Sequence, residues 1–474
     1  MIQFIFFSPK TIFFGTDPGS NRPHSSMWNE EQLEIIESKA TRKQVIAAAG
    51  SGKTSTMIGL LEEQERRKKI RPDRTLIVTF TNKATDEFRN RTIAKQLSND
   101  YNISTFHAFC FQTLRRLHPH FKEKGIQILT DTEKDKLTRD ILTKHRLQVG
   151  GIPFSILFSR GGKLFQKEFP EVYENYQNEL LSYKQKEQKF EFDDLISLVL
   201  SGLESEETWT KELLNQFDSV IVDEFQDTDW FQLRILKKLN IKNTTIVGDD
   251  WQAIYGFRGA TPEPFLSFPE HFPDTKIFQL CTNYRSLKGI IDLSVLPIGK
   301  NKTKIQKQVK ARRQGEMHYL SLVMKHPKQD RLTIIKNLKP FFETDPETVL
   351  LVRSNFRRRE WIESGISPNK VMTIHASKGL EFGTVITDIS SGWNLTGKSD
   401  ENDIEEERRI LYVALSRAKD RLILLGKEKS KTKKGLEDEF FRYFPKPGTR
   451  TKGALRLPFP WGNGKTFGGI SSAG

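Results

Sequence analysis

A glycine-rich loop between an apolar run and a helical pattern is the feature that most constrains the fold. The apolar run is QVIAAA (44–49), and the helical pattern after the loop is KTSTMIGLLEEQERRKK (53–69). A strand, a tight loop and a helix in this order surround an anion with backbone N–H groups and add the dipole of the helix amino terminus. The loop AAAGSGKT (47–54) follows the pattern GxxxxGK[ST], except that Ala47 replaces its first glycine. We therefore predict a phosphate-binding loop.

A second apolar run ends in two acids that would complete a nucleotide site. The run SVIV (219–222) leads directly into Asp223 and Glu224. A carboxylate at a strand end suits Mg²⁺, so Asp223 and the Thr54 hydroxyl are the predicted metal ligands. Lys53 is expected to reach the β- and γ-phosphates, and Glu224 is placed to polarise an attacking water. Two solvated surface acids are the alternative, which the preceding apolar run disfavours. The predicted ligands are ATP and Mg²⁺.

Two sets of short apolar runs, each alternating with helical patterns, indicate an α/β fold with two doubly wound parallel sheets. The first set is 44–49, 75–80, 219–224 and 244–249, and the second is 348–354, 370–376, 384–390 and 421–427. Residues 111–190 are rich in Lys, Glu, Gln and aromatic residues and show few strand signals. They predict a helical insertion in the first sheet's part of the chain.

The net charge of +15 favours a polyanionic partner. Nucleic acid fits better than a membrane, because no basic amphipathic helix stands out and no apolar run approaches the roughly 20 residues of a membrane span. The two cysteines, Cys110 and Cys281, cannot form a metal site and fit a reducing cytoplasm. We expect an N-terminal appendage at 1–27, without a signal-peptide cleavage site, and a basic, flexible tail at 431–474.

Eight motifs occur in an order that resembles the UvrD/Rep/PcrA helicases of superfamily 1, over roughly residues 28–427. They are AGSGKT, TFTNKAT (79–85), STFHAF (104–109), DEFQDT (223–228), VGDDWQAIYGFRGA (247–260), NYRS (283–286), TIHASKGLEF (373–382) and EEERRILYVALSRAKDRL (405–422). The resemblance implies two RecA-like motor domains of the P-loop NTPase class. It places the first at 28–110 and 191–280, a helical accessory insertion at 111–190, and the second motor domain at 281–430.

The resemblance also implies a compact version of the family. Relatives insert a large accessory domain in the second motor domain, after a segment that SNFRRREWIESG (354–365) resembles. Here KVMTIHASKGLEF (370–382) follows after only the short link ISPN. A link of this length can form a turn but cannot enclose a core.

Individual nucleotide contacts also follow from the resemblance. Gln32 matches the glutamine that reads the adenine edge, Tyr284 the aromatic that stacks on the base, and Glu381 a ribose contact. Gln252 matches the residue that links the γ-phosphate to the DNA site. The implied catalytic set is Lys53, Asp223, Glu224, Gln252, Arg285 and Arg417, in which the two arginines clamp the γ-phosphate. The loop contacts to the nucleotide are Ala49, Gly50, Ser51, Gly52, Lys53, Thr54 and Ser55.

DNA contacts are implied at aromatic and polar positions within the same motifs, as expected for binding of single strands without sequence preference. The predicted contacts are Thr79, Phe80, Asn82, Lys83, Thr105, His107, Phe192, Tyr255, Phe257, Arg258, Thr373 and His375. Phe106 is a further aromatic candidate, although an aromatic on a strand is more often part of the core. The two histidines could instead be buried, and Trp251, where relatives carry an acid, could stack on a base or simply pack.

The implied function is an ATP-dependent DNA helicase or translocase that moves 3′ to 5′ on single-stranded DNA in repair, replication or recombination. Its expected partners are single strands, single/double-strand junctions and a protein that supplies duplex contact or loading. The alternative is a nucleic-acid-stimulated ATPase switch within a larger antiviral or repair assembly. Residues 300–313 carry seven basic residues and no acid, either as a solvated face or as a contact to phosphates. As a phosphate contact, they would be the best internal substitute for the missing duplex grip.

Overall fold

The computed structural model describes residues 27–144, 163–256, 259–324, 327–393, 401–427, 443–444 and 454–455. Two six-stranded sheets organise this part of the chain, and every strand pair in them is parallel. The predicted α/β fold class with two parallel sheets is therefore confirmed. We refer to residues up to Leu280 as the first half and to residues from Cys281 onward as the second half.

The first sheet has the strand order β3-β2-β6-β7-β1-β8. Its strands are β1 (Arg42–Ala47), β2 (Thr75–Thr79), β3 (Asn102–Thr105), β6 (Ser219–Val222), β7 (Asn243–Gly248) and β8 (Lys276–Leu280). All residues of β2 and β6 are buried, as expected for a parallel sheet with both faces covered. The helices of this part are α1 (Glu30–Glu37), α2 (Lys53–Arg66), α3 (Asn82–Ala94), α4 (Phe106–Leu117), α9 (Phe192–Glu204), α10 (Thr210–Leu214), α11 (Trp230–Leu239), α12 (Glu263–Leu266) and α13 (Phe268–His271).

Helices dominate the described residues between α4 and α9, where the sequence predicts a helical insertion. They are α5 (Pro119–Lys124), α6 (Asp131–Lys144), α7 (Lys163–Glu168) and α8 (Pro170–Glu187). Two short strands, β4 (Gln127–Ile128) and β5 (Lys189–Phe190), pair in parallel at the base of this segment. A small core that includes Ile141, Phe165 and Tyr176 packs α6, α7 and α8 together, whereas Phe121 of α5 belongs to the core of the first sheet.

The second sheet has the strand order β13-β12-β14-β15-β11-β16. Its strands are β11 (Met317–Met324), β12 (Thr348–Val352), β13 (Val371–Thr373), β14 (Phe382–Asp388), β15 (Ala418–Lys427) and β16 (Ala454–Leu455). The helices are α14 (Lys288–Ile298), α15 (Pro327–Thr344), α16 (Asn355–Glu363) and α17 (Glu401–Leu415). Before β11, β9 (Thr282–Leu287) and β10 (Lys310–Arg313) form a separate parallel pair.

The connection from α16 to β13 is short, as predicted for a compact member of the family. It contains one 3₁₀ turn, Pro368–Lys370. The Arg358 side chain closes the turn, because its Nε donates to the Val371 carbonyl at 2.9 Å and its Nη2 donates to the Pro368 carbonyl at 3.0 Å. No accessory domain separates α16 from β13.

The two halves share one hydrophobic core. Ala49, Trp251 and Ile254 of the first half pack into the apolar cluster beneath α17 and the second sheet. Burial of apolar area is the main favourable term in folding, so this shared cluster holds the halves together without a ligand. Among the described residues, no helix combines the length and the apolar character that crossing a membrane requires.

Candidate nucleotide and nucleic-acid site

The phosphate-binding loop joins β1 to α2 through two glycines in the left-handed region. Gly50 has φ +68° and Gly52 has φ +80°, and Gly52 is the N-cap residue of α2. Ala47, the departure from the usual pattern, is the last residue of β1 and does not have a positive φ. Glycine is therefore not required there, and the substitution leaves the loop intact.

Groups of the second half hold the backbone of this loop. The Asn283 side-chain amide donates to the Ala49 carbonyl at 2.7 Å, and the Tyr284 N–H donates to the Gly50 carbonyl at 2.9 Å. On the other side, Lys307 donates to the Ala47 carbonyl at 3.2 Å. The phosphate-binding loop is thus fixed between the two halves. Sequence reasoning missed Asn283, although it lies in the NYRS motif.

Lys53, Asp223 and Glu224 come together as predicted. Lys53 Nζ lies 2.8 Å from Glu224 Oε1, and Asp223 accepts the Glu224 N–H at 2.9 Å. Burial, assisted by the Glu224 charge, raises the pKa of Asp223 to about 6. Burial would also raise the pKa of Glu224, but Lys53 and Lys378 hold it well below its ordinary value. Glu224 itself has φ +53°, a strained conformation of the kind found at functional sites.

Gln252 and Arg417 meet next to these acids. Gln252 Nε2 donates to Asp249 Oδ2 at 2.6 Å, and Gln252 Oε1 accepts from Arg417 Nη2 at 2.9 Å. Arg417 is only 1% exposed and also donates to the Val413 carbonyl. Burial and then repulsion from Arg285 lower the pKa of Arg417 to about 9, so the guanidinium remains charged at neutral pH.

Arg285 is oriented by an acid of the same half. Its Nε donates to Glu381 Oε2 at 2.8 Å, and its Nη1 donates to the Ser416 carbonyl at 3.1 Å. Burial would raise the pKa of Glu381, but Arg285 and Lys419 lower it, so this carboxylate stays charged. Glu381, the predicted ribose contact, is therefore paired with Arg285 in this structure.

These residues line one cavity of about 1000 Å³. Every predicted nucleotide contact and catalytic residue except Ala49 contributes to its wall: Gln32, Gly50, Ser51, Gly52, Lys53, Thr54, Ser55, Asp223, Glu224, Gln252, Tyr284, Arg285, Glu381 and Arg417. Tyr284 is 37% exposed and so presents a ring face for a base. Within the described residues, the Ser51 hydroxyl is buried without a hydrogen-bond partner. A phosphate oxygen would satisfy it, so this wall fits a nucleoside triphosphate.

The same wall fits Mg²⁺ bound with the nucleotide. No group of three or more His, Cys, Asp and Glu side chains that could hold a metal occurs in the described part of the chain. Asp223 and Thr54 would therefore supply two oxygen ligands, and phosphate oxygens and water the others. That division is typical of Mg²⁺, which keeps several waters and rarely sits in an all-protein cage.

Lys378 joins the nucleotide cavity to an aromatic pair. Its Nζ pairs with the buried Asp227, lies 4.0 Å from Glu224 Oε2, and donates to the Gln252 carbonyl at 2.9 Å. The same ammonium lies 4.9 Å from the centre of the Tyr255 ring. Sequence reasoning did not select Lys378, although the motif TIHASKGLEF contains it.

Phe80 and Tyr255 form the aromatic pair, with ring centres 4.6 Å apart. Each ring is partly exposed and lines the cavity. His375 lies beside Tyr255 at 6.1 Å between ring centres and has its Nε2 3.1 Å from the Ile254 carbonyl oxygen. The structure thus brings three predicted DNA contacts together within reach of Lys378.

Two other predicted DNA contacts form a separate group. Phe192 is 56% exposed, and its ring centre lies 6.0 Å from that of His107. His107 Nε2 is 3.2 Å from Asp193 Oδ1, and the partly exposed Thr105 caps α4 by accepting the Ala108 N–H. Neither histidine is buried in the core.

The remaining predicted contacts differ in accessibility. Asn82 and Lys83 are exposed at the start of α3, and Thr373 is partly exposed at the end of β13. The Thr79 side chain is instead buried and pairs with the Thr85 hydroxyl. Phe106 belongs to the core of the first sheet, as the core alternative anticipated. Phe257, Arg258 and most of the predicted appendage and tail lie outside the described residues.

Trp251 packs rather than offering a stacking surface. It is 5% exposed, donates from Nε1 to the Ile305 carbonyl at 3.0 Å, and meets the Tyr412 ring edge-on. Of the two alternatives for Trp251, stacking on a base and packing in the core, the structure supports packing.

Residues 300–313 are neither a uniformly solvated face nor a continuous phosphate contact, because four of their seven basic side chains contact other groups of the protein. Lys307 is buried against Asp249 and Asp250, and Lys304 donates to the carbonyls at the end of α14. Lys302 pairs with Glu401, and Arg313 pairs with Asp420. The acids that pair with these residues are distant in sequence. The local excess of basic residues therefore did not indicate how many of them remain unpaired at the surface. The other three basic residues are exposed and form no ion pair within the described structure: Lys300, Lys310 and Arg312.

Comparison with known proteins agrees with this arrangement. The sequence matches the UvrD/REP helicase N-terminal domain over residues 28–153 and 151–273, and the UvrD-like helicase C-terminal domain over residues 363–429. This chain belongs to the UvrD/Rep helicase family. The two matched regions contain the phosphate-binding loop, the Asp223–Glu224 pair and Arg417.

Curated relatives in the UvrD/Rep family include ATP-dependent DNA helicases named PcrA. That of Leuconostoc citreum is 28% identical over 402 residues, which cover 79% of this chain and 53% of the relative. That of Staphylococcus epidermidis is 31% identical over 286 residues, which cover 56% of this chain and 39% of the relative. This chain thus spans about half or less of the length of the curated relatives it matches.

Gly50 gives a direct test of the contact between the loop and the second half. A Cβ there would lie 2.8 Å from Arg285 Cβ and 3.0 Å from Asn283 Nδ2, at a φ that already strains alanine. We expect Gly50→Ala to weaken ATP binding at least about tenfold, or roughly 1.4 kcal/mol, in calorimetry.

Gly125→Ala is the matched control. Its φ is +76°, and a Cβ there would meet no atom within 4 Å in the described structure. It also places alanine at a positive φ, but without a clash and far from the loop in sequence, so its ATP affinity should match that of the wild type. Equal ATP affinities for the two variants would contradict the proposed role of this contact.

Proposed function

We propose that this chain is an ATP-driven motor that translocates on single-stranded DNA and separates duplex. The observation that carries the proposal is the position of Lys378. It bridges the carboxylates of the ATP cavity and the Phe80–Tyr255 pair, so one cation contacts both proposed ligand sites. A change in either site therefore changes the electrostatic environment of the other.

The cavity residues have distinct proposed roles in hydrolysis. Lys53 and Arg417 would stabilise the negative charge that develops on the phosphates, and Arg285 would join them once released from Glu381. Bound Mg²⁺ would neutralise further phosphate charge. Glu224, kept ionised by Lys53 and Lys378, would accept hydrogen bonds from the attacking water and orient it.

The nucleic-acid site would bind single strands mainly by stacking and by phosphate contact. Phe80, Tyr255 and Phe192 present partly or largely exposed rings, which bind any base because every base has a π face. The exposed Asn82 and Lys83 would contact the backbone, so binding should weaken as the salt concentration rises. Thr79, which is buried, would act by positioning the residues after β2.

Direction, pathway and partners are proposed from the family. We propose 3′ to 5′ movement, a role in repair, replication or recombination, and action on single/double-strand junctions. The proposed motor domains are residues 28–110 with 191–280, and residues 281–430, with residues 111–190 as a helical insertion. The short described segment between α16 and β13 leaves no room for an accessory domain, and more than half of the basic side chains at 300–313 contact other groups of the protein. A partner protein would therefore supply the contact with double-stranded DNA.

Unwinding assays separate the motor from an ATPase switch. A 3′-tailed duplex should be unwound over short distances, and a 5′-tailed duplex of the same sequence should not. DNA-stimulated ATP hydrolysis without displacement of either strand, or of a bound protein roadblock, would favour the switch.

Turnover should depend on Lys53 and Glu224. Lys53→Ala should abolish hydrolysis, because it removes the phosphate contact and leaves Glu224 without its closest cation. Glu224→Gln should bind ATP but lose at least about 100-fold in kcat, as expected for loss of a catalytic base. Steady-state kinetics with Lys69→Ala, an exposed lysine beyond the end of α2, provides the control. Near wild-type turnover in Glu224→Gln would refute the assignment.

Coupling to DNA should depend on the π face of Tyr255. Tyr255→Leu keeps an apolar side chain but removes the ring, and we expect it to weaken single-strand binding about tenfold, within the range known for base stacking. Tyr255→Phe retains the ring and should retain coupling. Anisotropy for DNA and kinetics for ATP measure the two effects. A Leu variant that loses ATP affinity but keeps DNA affinity would be inconsistent with stacking.

A further inference from the structure

Lys307 is a buried charge to which neither the motifs nor the proposed mechanism assigns a role. Its side chain is fully buried, and its Nζ lies 2.5 Å from Asp249 Oδ1 and 2.8 Å from Asp250 Oδ1. The ammonium also lies 4.5 Å from the centre of the Trp251 ring. Burial opposes its charge, but the two carboxylates raise its pKa, so it remains an ammonium.

The contacts of Lys307 lead directly to Gln252. Asp249 uses Oδ1 for Lys307 and Oδ2 for the Gln252 amide, at 2.6 Å. Since that amide must donate to Asp249, its oxygen is left to accept from Arg417. Asp249 and Arg417 together fix which way the Gln252 amide faces, and Lys307, with the Trp251 N–H, holds Asp249 in place.

The segment that carries Lys307 belongs to the second half. It is the connector between α14 and β10, which we define as residues 299–309. Its Thr303 carbonyl accepts from Arg409 of α17 at 2.8 Å, and its Ile305 N–H donates to Asp250 Oδ2 at 2.8 Å. The connector thus spans from α17 to the end of β7.

Lys307 also reaches the nucleotide loop itself. Its third contact is the carbonyl of Ala47, the last residue of β1, from which the phosphate-binding loop starts. One ammonium therefore ties three parts together: the start of the loop, the Asp249–Gln252 pair and the connector.

We propose that Lys307 is a positioning residue for ATP hydrolysis. It fixes the positions of the Gln252 amide and of the start of the phosphate-binding loop relative to the connector. All three parts therefore move as one unit during the ATP hydrolysis cycle. The inference rests on the proposed ATPase function and adds to it a residue outside the recognised motifs. Lys307 touches no substrate and acts through Asp249.

The experiment uses the full chain with Lys307→Met alone and with Asp250→Asn/Lys307→Met. The single change leaves two buried carboxylates without their shared cation, which alone can prevent folding. The double variant keeps the wild-type formal charge of the cluster, because one lysine and one aspartate are neutralised together. The side-chain oxygen of an asparagine at position 250 can still accept the Ile305 N–H. Lys302→Met, an exposed lysine of the same connector, is the control.

We expect the folded double variant to keep KM for ATP and single-strand affinity within about threefold of wild type while kcat at saturating DNA falls at least about tenfold. Lys302→Met should match wild type in all three. A double variant with wild-type kcat would show that Lys307 only neutralises buried acids and would overturn the inference. The inference would also be overturned if the double variant remained unfolded while Lys307→Met folded and hydrolysed ATP at the wild-type rate. If wild type itself showed no DNA-stimulated turnover, the proposed function would fail instead.

Discussion

The hydrogen bonds that the second half makes to the phosphate-binding loop are the constraint on which the site depends. Buried backbone groups must find hydrogen-bond partners, and several carbonyls of this loop find theirs in the second half. Here Asn283, Tyr284 and Lys307 satisfy three carbonyls, at Ala49, Gly50 and Ala47. The loop conformation is consequently a property of both halves, and a phosphate-binding loop detached from β9 and from the connector would lose these partners.

This shared construction suggests how binding energy could be converted into movement. Arg285 and Arg417 come from the second half, whereas Lys53 and Glu224 come from the first. A nucleotide that contacts both sets favours the arrangement in which the halves are closest. Under the proposed function, Lys378 would carry the same effect toward Phe80 and Tyr255, because its ammonium contacts acids on one side and aromatic faces on the other.

The sequence predicted the strands best where a short run of apolar residues is also buried in the fold. Strands β1, β2, β6, β7 and β12 to β15 were predicted because each contains a short apolar run. Strands β3 and β8 were missed because their apolar residues are few or interrupted by polar ones, whereas β11 was missed although most of its residues are apolar. The phosphate-binding loop and the Asp223–Glu224 pair were predicted because phosphate and metal binding allow few residue types and spacings. The other predicted nucleotide contacts followed from the family resemblance: Gln32, Gln252, Tyr284, Arg285, Glu381 and Arg417.

The errors concern partners that are distant in sequence. Lys307 counted as surface charge until the fold placed Asp249 and Asp250 against it. Trp251 could be assigned to the core only once the connector and Tyr412 enclosed it. Lys378 was overlooked for a similar reason, because its acid and aromatic partners lie in three separate motifs. Local sequence patterns show which residue types are present, but only tertiary contacts determine which charged side chains are paired.

The most direct test of this account is the thermodynamic coupling between nucleotide and DNA. Anisotropy with a labelled oligonucleotide would measure single-strand affinity with and without a saturating non-hydrolysable ATP analogue and Mg²⁺. Calorimetry would measure analogue affinity with and without the oligonucleotide. The account predicts that each ligand changes the affinity of the other by the same factor, at least about fivefold, as linkage requires. Affinities that do not depend on the second ligand would show that the two sites act separately, and would contradict the account.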